Sequence, residues 1–458
     1  MKKLFVRDLL RGSKREGTTV TLLGWVKARR DMGQLVFLDI CDSTGTIQVV
    51  VKGPQAEDTV NSGATQTVTQ SELAVGPEVF TIAKTISLES AVSVVGDVMH
   101  GPHGFEMHAD TIEIVGHALK EFSPRPRSNI DIFDNAMVDH LMRHRHLYLR
   151  NEKVAAILRF RHLMMGAIHN WFHQKGFIEI TAPVLTSVPL YDDGTAMSLD
   201  VHDERVYLTQ CVGFYLESAV HAFEKVYNMG PSFRAEETRS KRHLMEYWHI
   251  KAELAWVNRD DLMLIVEDLI SHVVEFSLDE GSDIAKALGT NICAHGLATP
   301  FPRISYVEAV ERIHQIGMPF EFGTSLGSAE EEALSQQFVS PFWITGIPRA
   351  IEPFPYVIDK SDTRVTQTAD LIATGGYGEL LGIAEKTHNL AELDERMQEK
   401  GKYGDPRYDW VRQMREFGCV PHGGFGMGCE RFIRWLLGIP HVRDTIPFPR
   451  IFRRKISP

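Results

Sequence analysis

Phe233-Arg234-Ala235-Glu236-Glu237-Thr238-Arg239-Ser240-Lys241-Arg242-His243-Leu244-Met245-Glu246-Tyr247-Trp248 places apolar residues at both ends of a densely charged centre. It reads as strand, polar loop, strand, a shape able to wrap a nucleotide. A planar guanidinium can bridge two phosphate oxygens, and an aromatic following the loop can stack on a base. The same pattern also suits a solvated surface hairpin. A second stretch, Gly423-Gly424-Phe425-Gly426-Met427-Gly428-Cys429-Glu430-Arg431, runs into an apolar helix through Leu437. Its glycines allow close backbone approach to a ligand or to a neighbouring strand. Arg431 falls in the first helical turn, where the helix dipole favours anions, so a bound phosphate would account for a cation there.

Between these stretches lie Asp370 and Glu379, flanking Gly375-Gly376-Tyr377-Gly378. A pair of acids beside phosphate-binding arginines could hold Mg²⁺ on a triphosphate, although scattered acids are usually surface groups. No GxxxxGK[ST] sequence occurs, which excludes a P-loop.

Upstream the pattern changes. Val20–Val26, Leu35–Ile40, Ile47–Val51, Ala91–Val98 and Glu106–Val115 are short β-rich runs separated by turn clusters. Five strands of this length suit a small Greek-key barrel of the oligonucleotide-binding type. Residues 1–50 hold nine Lys/Arg against five Asp/Glu. The Pro-bearing segment Phe122–Arg127 reads as a linker. Beyond it, the spacing predicts helices over Glu152–Lys175, capped by Gly176, and over Arg259–Leu278, Tyr306–Ile316 and Ala391–Glu399. Strands are expected near Phe177–Ile180, Val206–Thr209, His249–Trp256 and Phe342–Gly346. Irregular mixing of the two suggests an α+β domain with a largely antiparallel sheet. The expected divisions are an N-terminal barrel at 1–118, a linker at 119–135 and a catalytic domain at 136–458.

At 458 residues, 43% hydrophobic and 24% charged, the chain is long enough for two or three globular domains. The net charge of −11 advertises no bulk affinity for nucleic acid, so any such contact must come from a local patch. Five cysteines with no CxxC pair argue against a disulfide framework or Cys-rich zinc site. No secretory signal is read at the N-terminus, and no apolar run reaches the roughly 18 residues of a membrane span. A cytoplasmic protein without a membrane partner is the expectation.

Taken together, these stretches resemble the class II aminoacyl-tRNA synthetases. Gly176-Phe177-Ile178-Glu179-Ile180-Thr181-Ala182-Pro183 looks like the family's motif 1, Arg234–Glu253 like motif 2 and Gly424–Arg431 like motif 3. The preceding barrel resembles the aspartyl, asparaginyl and lysyl branch. Arg242–Trp248 and Ile446-Pro447-Phe448-Pro449-Arg450 look most like asparaginyl enzymes. The resemblance implies a homodimer built through motif 1 near Pro183, with ATP, Mg²⁺, a small amino acid and tRNA as cofactors and partners. It implies that Arg234 holds the α-phosphate and the reacting carboxylate, with Glu236 at the adenine end. Tyr247 and Arg431 would sandwich the base, while Arg242 and His243 lie near the phosphates. Asp370 and Glu379 would bind Mg²⁺. In the barrel, Phe37, Gln48 and Arg29 would contact the anticodon. The implied reaction is attack of an amino-acid carboxylate on the α-phosphorus, then acyl transfer to a tRNA hydroxyl. A relative that passes the acyl group to ammonia or a small amine is the alternative, and a non-catalytic paralogue a third reading.

The expected amino-acid pocket comprises Asp193, Gln210, Gly213, Glu246, Glu352, Gly382 and Lys386, and several of these depart from the family. Gly213 stands where a glutamine is usual, Lys386 where an arginine is usual, and Glu352 where a basic residue is usual. Motif 2 carries Lys251-Ala252-Glu253 in place of the commoner Glu-Pro-Glu. Lysine offers a point charge where arginine offers a fork. These differences signify either altered substrate recognition or a shifted alignment in this region.

Overall fold

The computed structural model describes residues 4–10, 16–54, 75–189, 193–237, 240–292 and 297–456. Thr238, Arg239 and Cys293 lie outside them. The chain divides into two compact units, Met1–Asn129 and Ile130–Pro458.

The first unit is a closed barrel of β1 (Thr19–Asp31), β2 (Leu35–Cys41), β3 (Thr46–Lys52), β4 (Ala91–Gly101) and β5 (Gly104–Gly116), ordered β1-β2-β3-β5-β4. All five strands expected from the sequence are present. Alternation drives closure: Leu22, Val26, Val36, Leu38, Val49, Val92 and Val94 all belong to one buried core. The helix Pro77–Thr85 adds Ala83 to that core.

The second unit contains β6 (Ile178–Glu179), β7 (Leu185–Thr186), β8 (Ser198–Val201), β9 (Glu204–Leu208), β10 (Lys225–Phe233) and β11 (Glu246–Ala255). It continues with β12 (Arg303–Ser305), β13 (Phe342–Thr345), β14 (Thr368–Ala373), β15 (Gly378–Lys386) and β16 (His422–Gly428). Eight of these form one sheet, ordered β12-β13-β14-β15-β16-β11-β10-β6, with parallel pairing only at its two ends. Strands β7, β9 and β8 make a small separate sheet.

The long helix runs Glu152–Gln174, with Asn151 accepting from the Lys153 amide at 3.0 Å. Gly176 follows at φ +78, and the Phe177 amide reaches back to the Phe172 carbonyl at 3.0 Å. This left-handed cap turns the chain straight into β6. Phe172 stacks on Tyr227 of β10, ring centroids 4.1 Å apart, which seats the helix against the sheet. A second helix, Arg259–Glu280, begins on a capping box between Asn258 and Asp261. Asp268 on it accepts from the Trp171 indole at 2.8 Å.

Candidate active site

The centre of the large sheet, β11, β15 and β16, floors a cavity of about 340 Å³. The glycines of β16 explain why there is room for it. A Cβ at Gly424 would lie 2.1 Å from the Ala252 carbonyl oxygen, so that position must be bare for β16 to pair with β11. A Cβ at Gly426 would instead meet the Lys251 ammonium at 2.7 Å and the His249 ring at 2.9 Å, both cavity-lining side chains.

At one end, the β10–β11 hairpin and the helix Cys429–Leu437 bring together the predicted phosphate-binding cations. Arg234, Glu236, Arg242, His243, Tyr247 and Arg431 all line the cavity. Arg234 donates to Glu236 at 3.2 Å, and both side chains remain about a third exposed. Arg242 makes a two-pronged pair with the buried Glu331. Arg431 donates to the Arg242 carbonyl at 3.2 Å and to Glu379 at 3.1 Å. It does sit in the first helical turn, its charge met by Glu379 and facing the cavity. Burial, with Arg431 and Arg242 nearby, pushes His243 down to about 4 against the pull of Glu236. It is therefore a neutral hydrogen-bonding group at neutral pH.

Asp370 and Glu379 reach the cavity from adjacent strands, with Glu352 beside them. Burial and repulsion from Glu379, Glu352 and Glu331 push Asp370 well above the carboxylate range. Burial and Glu379 push Glu352 up to about 7. Burial would raise Glu379 too, but Arg431, Arg242 and Arg234 hold it lower. Crowded carboxylate oxygens facing a cationic wall form a donor set whose chemistry fits Mg²⁺ shared with phosphate oxygens.

The opposite end is deeper. Lys386, on β15, is buried and pairs with Glu217 at 2.9 Å and Glu253 at 2.7 Å. Behind it, Arg415 holds Glu217 at 2.8 Å and His422 lies 3.5 Å from the same carboxylate. Burial alone would raise Glu217, yet Lys386, Arg415 and His422 keep it well below its ordinary value. Glu253 Oε1 is buried without a hydrogen-bond partner among the described residues, at the cavity lining. The lysine expected to offer a point charge is thus already neutralised by two carboxylates. Glu217, Arg415 and His422 are spread along the sequence, and nothing in their spacing signals that they meet.

The other expected pocket residues separate. Gly382 and Glu352 line the cavity, whereas Asp193, Gln210, Gly213 and Glu246 do not. Asp193 pairs with Lys402 at 2.7 Å, and Gln210 donates to Thr195 at 2.9 Å. Gly213 is buried in the first turn of the helix Gly213–Phe223. Glu246 faces Arg450 at 4.0 Å. Cys211 and Cys429 are buried, and burial pushes the Cys429 thiol up to about 12, leaving it unreactive.

On the barrel, Phe37 of β2 and Gln48 of β3 share an outward face with Arg30, opposite Phe37 in the register. Arg30 donates to Gln48 at 2.8 Å, its guanidinium 5.9 Å from the Phe37 ring centroid. Arg29 alternates to another face, where it donates to the Ile86 carbonyl at 2.8 Å. The sequence reading names Arg29 and misses Arg30, because counting by two from the buried Val26 puts Arg29 on the outer side, whereas the register shift between Val26 and Ala28 reverses the alternation.

Residues 137–451 match the family described as tRNA synthetases class II (D, K and N), and residues 20–115 match the OB-fold nucleic acid binding domain. The chain belongs to the class II tRNA synthetases. This synthetase is 36% identical to the asparagine--tRNA ligase of Pyrococcus abyssi over 440 residues, 95% of each chain. It is 34% identical to that of Koribacter versatilis over 451 residues, 96% of each. Its fold matches the asparaginyl-tRNA synthetase of Pyrococcus horikoshii complexed with asparaginyl-adenylate, with a TM-score of 0.89, 32% identity and full coverage of both chains. No helix among the described residues is long and apolar enough to cross a membrane.

Proposed function

We propose that this synthetase activates asparagine with ATP and transfers it to tRNA. The observation that carries the choice of amino acid is the donor–acceptor pair at the deep end of the cavity. A carboxamide offers one acceptor and two donors. Lys386 supplies a donor, and Glu253, whose Oε2 lies 2.7 Å from that ammonium, offers as acceptor its other oxygen, Oε1, which accepts no hydrogen bond among the described residues. An aspartate side chain would meet Glu253 as a like charge, so the pair favours the amide over the acid.

In this reading Arg234 grips the α-phosphate and the reacting carboxylate, aligning them for in-line attack. Tyr247 and Arg431 hold the adenine between them, with Glu236 at its edge. Arg242 and His243 face the outer phosphates, His243 as a neutral donor or acceptor. Positioning and charge neutralisation carry the catalysis. Mg²⁺ held by Asp370 and Glu379 would neutralise the phosphates when bound. The acceptor reading of tRNA over a small amine is supported by the complete barrel with Phe37, Gln48 and Arg30 on one face. A homodimer through motif 1 belongs to the same proposal. It is supported by the two-residue edge strand β6 and the exposed apolar Ile178, Val184 and Leu185 beside it. The free thiols of Cys419 and Cys429 support a reducing, cytoplasmic setting.

The test is amino-acid-dependent ATP–pyrophosphate exchange without tRNA. Asparagine alone is expected to support it, and Arg234→Ala is expected to abolish it. Exchange with aspartate and none with asparagine would overturn the choice of amino acid. Unchanged exchange in Arg234→Ala would remove the catalytic assignment.

A further inference from the structure

The cavity-facing side chains of β11 alternate along the strand as Tyr247, His249, Lys251 and Glu253. Two residues of strand span about 6–7 Å, so His249 and Lys251 fill the stretch between the aromatic platform of Tyr247 and the deep carboxylate of Glu253. An adenylate with its base on Tyr247 and its side-chain amide at Glu253 therefore brings its phosphate and carboxyl group over these two residues. Across the sheet, the register sets Lys251 of β11, Gly426 of β16, Gly382 of β15 and Asp370 of β14 in one row. The two glycines leave the floor bare, and side chains lean over it from either side. A Cβ at Gly426 would lie 2.7 Å from Lys251 Nζ and 2.9 Å from His249 Nε2, and a Cβ at Gly382 would lie 2.9 Å from Asp370 Oδ1. Four of the cations lining the cavity, Arg234, Arg242, Arg431 and Lys386, are each matched by a carboxylate. Among the described residues, Lys251 makes no ion pair and no side-chain hydrogen bond. The deep carboxylates do not call for it, because Lys386, Arg415 and His422 already surround Glu217. His249 Nδ1 faces the Ser232 hydroxyl at 3.2 Å, which leaves Nε2 turned to the same floor. Burial, with Lys251, Arg234 and Arg431 nearby, holds His249 well below its ordinary value, so the ring is neutral.

We propose that Lys251 is a catalytic residue whose ammonium, with His249 beside it, binds the α-phosphate of ATP as the adenylate forms. The inference rests on the adenylate-forming reading given above. In that reaction a carboxylate oxygen bonds to the α-phosphorus while the bond to the departing pyrophosphate oxygen breaks, and pyrophosphate leaves with the electron pair. Two anions must meet, and negative charge gathers on the α-phosphate oxygens. A cation with no carboxylate to give up, held over a bare glycine floor, meets that charge with little reorganisation. Lysine serves a single phosphate oxygen as a point charge, while Arg234 supplies the fork. His249 Nε2 can donate to the same phosphate when Nδ1 accepts from Ser232. A glutamate at position 251, as in the commoner Glu-Pro-Glu, would repel the phosphate, so this contact belongs to the Lys251-Ala252-Glu253 form of motif 2.

The experiment measures calorimetric binding of AMP and of adenosine to the full chain, together with ATP–pyrophosphate exchange, in the parent, Lys251→Met and Lys251→Arg. AMP differs from adenosine by the α-phosphate alone, and neither needs an amino acid to bind. Lys251→Met is expected to leave adenosine affinity unchanged, to weaken AMP about tenfold and to cut kcat for exchange about tenfold or more, with KM for the amino acid little altered. Lys251→Arg keeps the charge and should retain most of the advantage of AMP over adenosine. Thermal midpoints check that the variants are folded, and Lys251→Gln takes the place of the methionine variant if that one fails to fold. An unchanged ratio of AMP to adenosine affinity in a folded neutral variant would overturn the inference, whatever happens to exchange, and leave Lys251 a solvated cation on the cavity wall. The AMP comparison decides on Lys251 by itself. Exchange by the parent with no amino acid, or only with one other than asparagine, would count against the proposed function instead.

Discussion

The buried charges behind the cavity show how single residues set its properties. His422 is fully enclosed, and burial alone would lower its pKa. Its contacts with Cys419 and with the carboxylates of Glu217 and Glu253 outweigh that and hold it up at about 9. A folded-state value above the ordinary ~6.5 means that protonation stabilises the native state below about pH 6.5, and that this contribution disappears as pH rises through 9. A shift of that size corresponds to about 3 kcal/mol. His422→Gln is therefore expected to unfold at lower temperature than the parent at pH 6. The gap between the two should close by pH 9.5, as followed by differential scanning fluorimetry. A gap constant across that range would show that His422 carries no charge in the fold. Lys386 is held by the same carboxylates, so its charge is matched inside the fold.

At the scale of strands and helices, β16 separates two uses of glycine that its sequence alone leaves open. Gly424 lies against the backbone of β11, whereas Gly426 lies under the tips of Lys251 and His249. Gly424→Ala must push the strands apart and should cost about 1–3 kcal/mol or more of stability. Gly426→Ala meets only the ends of side chains, so the protein should fold normally and lose affinity for ATP or amino acid. Thermal denaturation and pyrophosphate exchange, run on both variants, separate the effects. Equal destabilisation by the two would contradict this division. Much of the fold is readable from the sequence because alternation and periodicity mark it directly: the five barrel strands and the helices beginning at Glu152 and Arg259 are examples. The hairpin β14–β15 is not assigned there. Its cavity-facing positions include Asp370, Glu379 and Gly382, residues that local propensity places in loops, and tertiary pairing with β13 and β16 overrides it. The cationic end of the site was legible because Arg234, Glu236, Arg242 and His243 sit close together along the chain. At the deep end Lys386 was named, but its partners Glu217, Arg415 and His422 were not, because they meet it and Glu253 only through folding.

For the molecule as a whole, the question is how a chain of net charge −11 binds a polyanion. The answer lies in local arrangement: on the barrel, an aromatic ring, an amide and a guanidinium stand together on one face as Phe37, Gln48 and Arg30. An unpaired base can stack on Phe37 while Gln48 reads its edge, and Arg30 can reach a phosphate or the base. Gln48 is held ready between Arg30 and Glu106, to which it donates at 3.0 Å. Phe37→Ala should weaken tRNA binding by about 1–3 kcal/mol, roughly 5- to 150-fold. Arg30→Ala should weaken it less at high salt than at low salt, because a phosphate contact releases counterions and a stacking contact does not. Asparagine-dependent pyrophosphate exchange, expected to proceed without tRNA, should be unchanged in both variants. Filter binding at two salt concentrations, paired with the exchange assay, reads all three quantities. Wild-type tRNA affinity in Phe37→Ala would remove the barrel face from recognition, while lost exchange would mean that the substitution damaged the protein as a whole.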